Sequence, residues 1–234
     1  MEHLITIENL SFQYPDGKKA LAGVNLSISA GEKVAIVGAN GAGKSTLLLQ
    51  LNGVYAGKGV IRIAGLECIK KNLDQIRANV GLVFQNPDDQ LFSVTVFDDV
   101  AYGPRYQGLS KLEVEQKVKM ALSAVQMEGY AERNPYHLSG GEKKRISIAT
   151  VLSMEPKILV FDEPTAGLDP RARRELLELL EGLPQTMLIA THDLGLVEQL
   201  TPRMIIMNNG SIVADGSSKT LLEDKTLLLA YGLK

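Results

Sequence analysis

The run from Gly38 to Ser45 reads Gly-Ala-Asn-Gly-Ala-Gly-Lys-Ser. It has the G-x-x-x-x-G-K-[ST] pattern, and the chemistry of that pattern is the holding of phosphate. Gly38, Asn40, Gly41, Ala42 and Gly43 form a cradle whose backbone N–H groups can turn inward around phosphate oxygens. Lys44 is spaced to reach the β- and γ-phosphates, and the Ser45 hydroxyl to bind Mg²⁺. Thr46 opens the helical run behind them, whose N-terminus adds a partial positive charge. ATP with Mg²⁺ is the expected ligand pair.

A second group of reactive side chains stands at Asp162-Glu163, directly after the apolar run Ile158–Phe161. Carboxylates at the C-terminal end of a buried strand lie where open α/β sheets bind ligands. Asp162 suits the Mg²⁺ role that accompanies a phosphate cradle. Glu163 is the candidate base that activates water. Nucleotide binding alone would need Asp162 and not Glu163, so the pair favours an enzyme over a binding module. A third candidate is Leu138-Ser139-Gly140-Gly141-Glu142. Ser139 and Glu142 have capping-box spacing, which a plain helix start also has. Two glycines weaken a helix start by about 0.5–1 kcal/mol each relative to alanine, so a close approach to this backbone by phosphate is the second reading.

These residues need elements to hold them. Val34–Val37, Val80–Phe84, Ile158–Phe161, Met187–Ala190 and Met204–Met207 are continuous apolar runs, as in strands of a parallel sheet buried on both faces. Lys44–Leu51, Arg171–Glu181 and Leu194–Leu200 read as helices following strands, which indicates a layered α/β core. Leu4–Ile7, Val24–Ile28 and Gly59–Ile63 alternate instead, as half-exposed antiparallel strands do. The strand-like start, Met1 to Leu10, does not read as a signal peptide. From Asn86 to Ser153 no strong strand is visible. There Ser110 and Glu113 form a capping box, and Val114, Val118, Ala121 and Val125 line one helical face. An α-helical subdomain over 86–153 is therefore expected within a core of 1–85 and 154–234. Its small core should include Val94, Val96 and Phe97, with Leu91 and Phe92 less deeply placed.

The bulk numbers exclude several alternatives. A net charge of −2 over 234 residues argues against a chain that coats nucleic acid, so no nucleic-acid partner is expected. The single cysteine, Cys68, excludes an internal disulfide. No apolar run approaches the ~20 residues that span a bilayer, so a membrane role would need a partner.

The ordered combination of motifs resembles the ABC ATPase family over essentially the whole chain. Leu138–Glu142 is similar to that family's signature motif. Gln85 resembles the Q-loop glutamine, His192 the switch histidine, and Gly167-Leu168-Asp169 the D-loop. Tyr14 stands where the family places an aromatic ring against adenine. The resemblance implies a P-loop NTPase fold of RecA-like type. Its features are a mostly parallel core sheet, an N-terminal antiparallel β subdomain and the inserted helical subdomain. It implies catalytic roles for Lys44, Gln85, Glu163 and His192, with Ser45, Gln85 and Asp162 at Mg²⁺. It also implies a dimer with a second ATPase chain, in which Ser139, Gly140 and Gly141 of one copy cover the nucleotide of the other, with Asp169 nearby.

A narrower resemblance rests on Gln85–Phe92 and Asp98–Pro104. These segments are similar to ATPases of energy-coupling-factor (ECF) importers for vitamins and for cobalt or nickel ions. A transmembrane subunit and a place at the cytoplasmic face of the membrane are implied. Many ECF ATPases continue well past the hairpin-like segment around Gly210 and Gly216. Without that extension the expected dimer depends on nucleotide. The alternatives are a soluble ABC protein of translation or DNA maintenance, an exporter subunit, and a nucleotide-sensing scaffold without turnover.

Overall fold

The computed structural model describes residues 3–233. Met1 and Glu2, the first positions of the strand-like start, and Lys234 lie outside the described residues. The chain forms two compact units, one of Met1–Val80, Lys157–Glu163 and Pro184–Lys234, the other of Gly81–Pro156 and Pro164–Leu183.

The first unit carries two sheets. β1 (His3–Gln13), β2 (Lys19–Ser29), β4 (Lys58–Ile63) and β5 (Leu66–Glu67) form an antiparallel sheet in the order β2-β1-β4-β5. Its buried face is the alternating set expected from sequence: Ile5 pairs with Ile28 and Ile63, and Ile7 with Leu26 and Ile61. Strand β1 continues past the expected Leu4–Ile7. Register shifts follow Ile7, and Asn9 has φ 49°, so the alternation that marks a strand in sequence is broken while the pairing continues.

β3 (Lys33–Val37), β7 (Ile158–Asp162), β8 (Thr186–Ala190), β9 (Arg203–Asn208) and β10 (Ser211–Ser217) form the other sheet, ordered β10-β9-β3-β8-β7 within this unit. The β9–β3, β3–β8 and β8–β7 pairs are parallel. β10 returns antiparallel to β9 through Asn209-Gly210, with φ 47° and 79°, the two left-handed residues of a tight hairpin. Gly210 N–H donates to Ala42 O and its carbonyl accepts from Ala22 N–H, both at 2.9 Å, so this turn braces the phosphate cradle.

The helices of the first unit are α1 (Lys44–Gln50), α2 (Leu73–Asn79), α7 (Leu194–Leu200), α8 (Ser218–Glu223) and α9 (Lys225–Ala230). Ala35, Val37, Met204 and Ile206 meet Val197 of α7 and Leu228 of α9 in a closed apolar cluster. Burying such side chains is the main source of stability here, at roughly 1.5–3 kcal/mol for each large one.

β6 (Val80–Val83) carries the chain from the first unit into the second. There α3 (Val96–Tyr106), α4 (Lys111–Ala124), α5 (Gly140–Leu152) and α6 (Pro170–Gly182) pack together. Both halves of the Ser110–Glu113 capping box are present, and Val114, Val118, Ala121 and Val125 are buried. The expected 86–153 segment lies inside this unit, which also takes in α6. Arg145 of α5 bonds Glu175 of α6 at 3.0 Å, and Leu176, Leu177 and Leu180 are buried. Two placements differ from expectation: Val94 is 76% exposed, whereas Leu91 is 3% exposed. Leu91 N–H donates to Pro87 O in a short turn that folds its side chain inward, while Val94 stands before the N-cap Thr95 of α3.

Candidate functional site

In the first unit the site is built at the C-terminal ends of three neighbouring strands. Ile36 pairs with Ala190, and Ala190 with Asp162, so β8 and β7 end level with each other and β3 runs one residue further, to Val37. The next residues along each strand are the cradle, Thr191-His192 and Glu163.

The cradle runs from β3 into α1, as the motif requires. Gly43 caps the helix at φ 105°, and a Cβ there would stand 2.5 Å from Ala20 O. A Cβ on Gly38 would collide with the Met207 carbonyl oxygen. Glycine is thus demanded at both positions by the protein's own backbone. Gly41, at φ 82°, is exposed, as are Ala39, Asn40 and Ser45. Lys44 is buried and its Nζ donates to Gly38 O at 2.7 Å and to Ala39 O at 3.3 Å. The ammonium group is therefore held inside the loop, where it can exchange two neutral carbonyls for phosphate oxygens. Tyr14 OH and Thr46 Oγ1 are 2.8 Å apart. The Tyr14 ring meets Phe12 and Tyr55 edge-on, with centroids 5.1 and 5.7 Å away. Tyr14 is thereby fixed beside the first turn of α1.

Asp162 ends β7 half-buried and Glu163 follows it at φ 46°, a left-handed conformation for a non-glycine residue. Such a backbone costs on the order of 1–3 kcal/mol. Its N–H donates to Ala190 O at 2.8 Å, which fixes the turn. The residue is 7% exposed, and one side-chain oxygen, Oε2, gathers three donors. These are His192 Nδ1 at 2.8 Å, His192 N–H at 3.3 Å and Thr191 Oγ1 at 3.3 Å. Net hydrogen-bond contributions of about 0.5–1.5 kcal/mol each are enough to offset that strain. The His192 side chain is 69% exposed, so the ring touches both the buried carboxylate and solvent. Ser45 and Asp162 supply a hydroxyl and a carboxylate oxygen, hard donors that fit Mg²⁺.

In the second unit Ser139 caps α5 with both halves of its capping box. Neither Gly140 nor Gly141 has a positive φ. A Cβ on Gly140 would meet nothing within 4 Å, and one on Gly141 would come 3.0 Å from Ala172 Cβ of α6. Gly141 therefore allows two helices to pack closely, while Gly140 leaves the helix start open on its outer side. Asp169 caps α6 by accepting from Arg171 N–H at 2.9 Å and Ala172 N–H at 3.0 Å. The Ala172 bond, with Arg171 beside it, holds the Asp169 carboxyl below the usual carboxylate range. Gln85 is exposed, and its carbonyl accepts from the buried Lys144 of α5.

Sequence reasoning missed several residues that hold these groups. Thr191 is one. Gln90 is another: its Nε2 donates to Ser147 O and Thr150 Oγ1, and its Oε1 accepts from Phe84 N–H, fastening the loop after Gln85. Tyr130 is a third, with its hydroxyl 2.6 Å from Glu142 Oε1. Thr191, adjacent to His192, was within reach of a sequence reading; Gln90 lies in the segment Gln85–Phe92 with no sign there of its bonds to α5, and Tyr130 carries no local signal.

The sequence pattern of the ABC transporter family matches residues 21–166, from β2 through the cradle and signature-like helix to beyond Glu163. The chain belongs to the ABC transporter ATP-binding family. It is 49% identical to the energy-coupling factor transporter ATP-binding protein EcfA of Carboxydothermus hydrogenoformans, covering all of this chain and 88% of that one. It is 45% identical to EcfA of Methanothermobacter thermautotrophicus, covering 99% of this chain and 76% of the relative. Among solved structures it is similar to cbiO1 of Clostridium perfringens, described as part of the ABC transporter complex cbiONQ. The TM-score is 0.86 at 37% identity, over 100% of this chain and 96% of that one. An ATP-binding cassette solved as a post-hydrolysis dimer with ADP and Pi matches with TM-score 0.82 at 27% identity, over 92% and 98%. As a member of this family the chain is a P-loop ATPase subunit that binds and hydrolyses ATP. Among the described residues no helix is long and apolar enough to cross a membrane.

Lys44→Ala removes the ammonium group poised in the cradle, and titration calorimetry with Mg²⁺ should show loss of tight ATP binding. Affinity equal to that of the unmodified protein would remove Lys44 from the phosphate site.

Proposed function

We propose that this ATPase drives an ECF-type importer, of a vitamin or of cobalt or nickel ions, from the cytoplasmic face of the membrane. The proposed organisation is one ABC ATPase domain over 1–234, with a core of 1–85 and 154–234 and a helical subdomain of 86–153. Lys44 and the cradle from Gly38 to Thr46 hold the triphosphate, and Tyr14 lies toward adenine. Ser45 and Asp162 would hold Mg²⁺, with Gln85 a further ligand, and the ion when bound neutralises phosphate charge. Glu163 takes a proton from the attacking water while His192 holds the carboxylate and faces the γ-phosphate. The observation that carries hydrolysis is the buried Glu163 oxygen held by His192 and Thr191. A carboxylate fixed in this way is oriented before substrate arrives.

The partner reading is a dimer closed by ATP. Ser139, Gly140 and Gly141 of one copy cover the γ-phosphate held by the other, with Asp169 nearby, in an isologous arrangement with two equivalent sites. The open outer side of Gly140 supports it. The membrane-facing surface is the loop after Gln85. Phe92 is 63% exposed and Tyr102 58% exposed, and their rings meet edge-on at 5.4 Å. Asp99 Oδ1 accepts from both Phe92 and Ser93 N–H, at 3.1 and 2.9 Å, so the pair is presented by an anchored backbone. An exposed aromatic pair of this kind suits a short amphipathic helix from a transmembrane subunit.

Two measurements test these assignments. The Glu163→Gln protein should pass from monomer to dimer on a sizing column when ATP is added, and adding Ser139→Arg should block that shift. A dimer indifferent to both ATP and Ser139→Arg would refute the covering role. Phe92→Asp should abolish co-purification with the membrane subunit while thermal melting of the isolated chain stays nearly unchanged. Full co-purification by a normally melting variant rules out the docking surface, and a variant that simply unfolds shows Phe92 to be structural.

A further inference from the structure

The Ser139 hydroxyl has one proton to donate, and here it donates it to Glu142 Oε2 at 2.8 Å. The same carboxylate oxygen accepts Ser139 N–H at 2.8 Å. This arrangement caps α5 well, but it conflicts with the proposed work of Ser139. To bind a phosphate oxygen the hydroxyl must swing away from Glu142. The incoming anion must also approach a helix start that carries a carboxylate, whose charge opposes the favourable helix dipole.

The structure holds a counterweight to that charge. Tyr130 donates to the other oxygen, Oε1, at 2.6 Å. The guanidinium carbon of Arg133 lies 4.0 Å from the centroid of the Tyr130 ring. A cation over the ring makes the phenol a stronger donor. Three other cations of α5 and α6 are committed elsewhere. Arg145 and Arg171 both bond Glu175, at 3.0 and 2.9 Å, and Lys143 bonds Asp88 at 2.6 Å. The Tyr130 bond, then those from Ser139, with Arg133 nearby, hold the Glu142 carboxyl below its ordinary range. Glu142 in turn raises the Tyr130 phenol above its own, so near neutral pH the pair is a phenol and a carboxylate.

We propose that Tyr130, backed by Arg133, is a positioning residue that draws charge from Glu142, so that Ser139 stays capped yet can give its hydroxyl to the γ-phosphate of the partner's ATP. The inference rests on the covering role of the signature helix. Glu142 then fixes the place of Ser139 through its N–H, and Tyr130 weakens both the hold on the hydroxyl proton and the repulsion of a triphosphate. Glutamine at position 142 would cap equally well without a charge. The need for Tyr130 should therefore disappear when that charge is removed.

The test is steady-state ATP hydrolysis by the full chain, with thermal melting as the fold control. Tyr130→Phe keeps the ring and the Arg133 contact and removes only the hydroxyl. Its KM for ATP should rise about tenfold, the weight of one charge-assisted hydrogen bond, with kcat changed far less. In the Glu142→Gln background the same substitution should change KM by less than about twofold. A Tyr130 that merely braces the helix would be needed equally in both backgrounds. Arg133→Gln, which leaves Tyr130 in place, should raise KM more modestly and serves if Tyr130→Phe melts early. An unchanged KM in Tyr130→Phe, or a defect that persists with Glu142→Gln, overturns the proposal. Ser139→Arg separates the two levels. If it stops hydrolysis while Tyr130→Phe is normal, only the Tyr130 role fails. If it hydrolyses ATP normally, the covering role fails, and the Tyr130 proposal with it.

Discussion

Three parallel strands held in one register set the conditions for everything else in the first unit. Ile36, Ala190 and Asp162 are paired across β3, β8 and β7. One residue further on, Thr191 N–H donates to Ile36 O and Glu163 N–H to Ala190 O. The ladder thus continues just past the strands and carries the cradle, the histidine and the carboxylate with it. A slip of one residue in any pair would turn that strand's side chains to the opposite face and move its functional residue along the edge. The long apolar runs in these strands act as a lock on register, and so on chemistry.

That constraint creates a second one. Glu163 is buried at the edge of a hydrophobic sheet, where an unsatisfied carboxylate would be costly. The donors that satisfy it come from the neighbouring strand end, Thr191 and His192, and they concentrate on one oxygen. Thr191 is itself tied down, since its hydroxyl accepts from Asp193 N–H, and Asp193 caps α7. The position of the Glu163 carboxylate is thus traceable through one turn to a helix start. In the second unit the same logic applies to Ser139, whose capping partner Glu142 is held in turn by Tyr130.

Much of this was legible in the sequence because it is local. The cradle is one continuous motif between a strand and a helix. The Ser110 and Ser139 capping boxes are each complete within four positions. The helix expected at Leu194–Leu200 forms with those ends, and the apolar runs that read as buried strands are buried, except that Phe84 of the Val80–Phe84 run lies half-buried past the end of β6. Other features depend on contacts between distant segments and leave no periodic trace. The bulged continuation of β1, the bond from Gly210 to the cradle and the hold of Tyr130 on Glu142 are of this kind. The glycines of the signature-like motif show the limit well. Sequence reasoning treats Gly140 and Gly141 alike, whereas Gly141 answers to Ala172 and Gly140 to open space.

The central claim is that the carboxylate held at the end of β7 removes a proton from the attacking water. Steady-state phosphate release by Glu163→Gln at saturating Mg²⁺-ATP tests it most directly. The amide preserves the shape and loses the proton acceptor. Turnover should fall by roughly 10²–10⁴-fold, the usual contribution of a general base, while ATP is still bound. Turnover close to that of the unmodified protein would contradict the account.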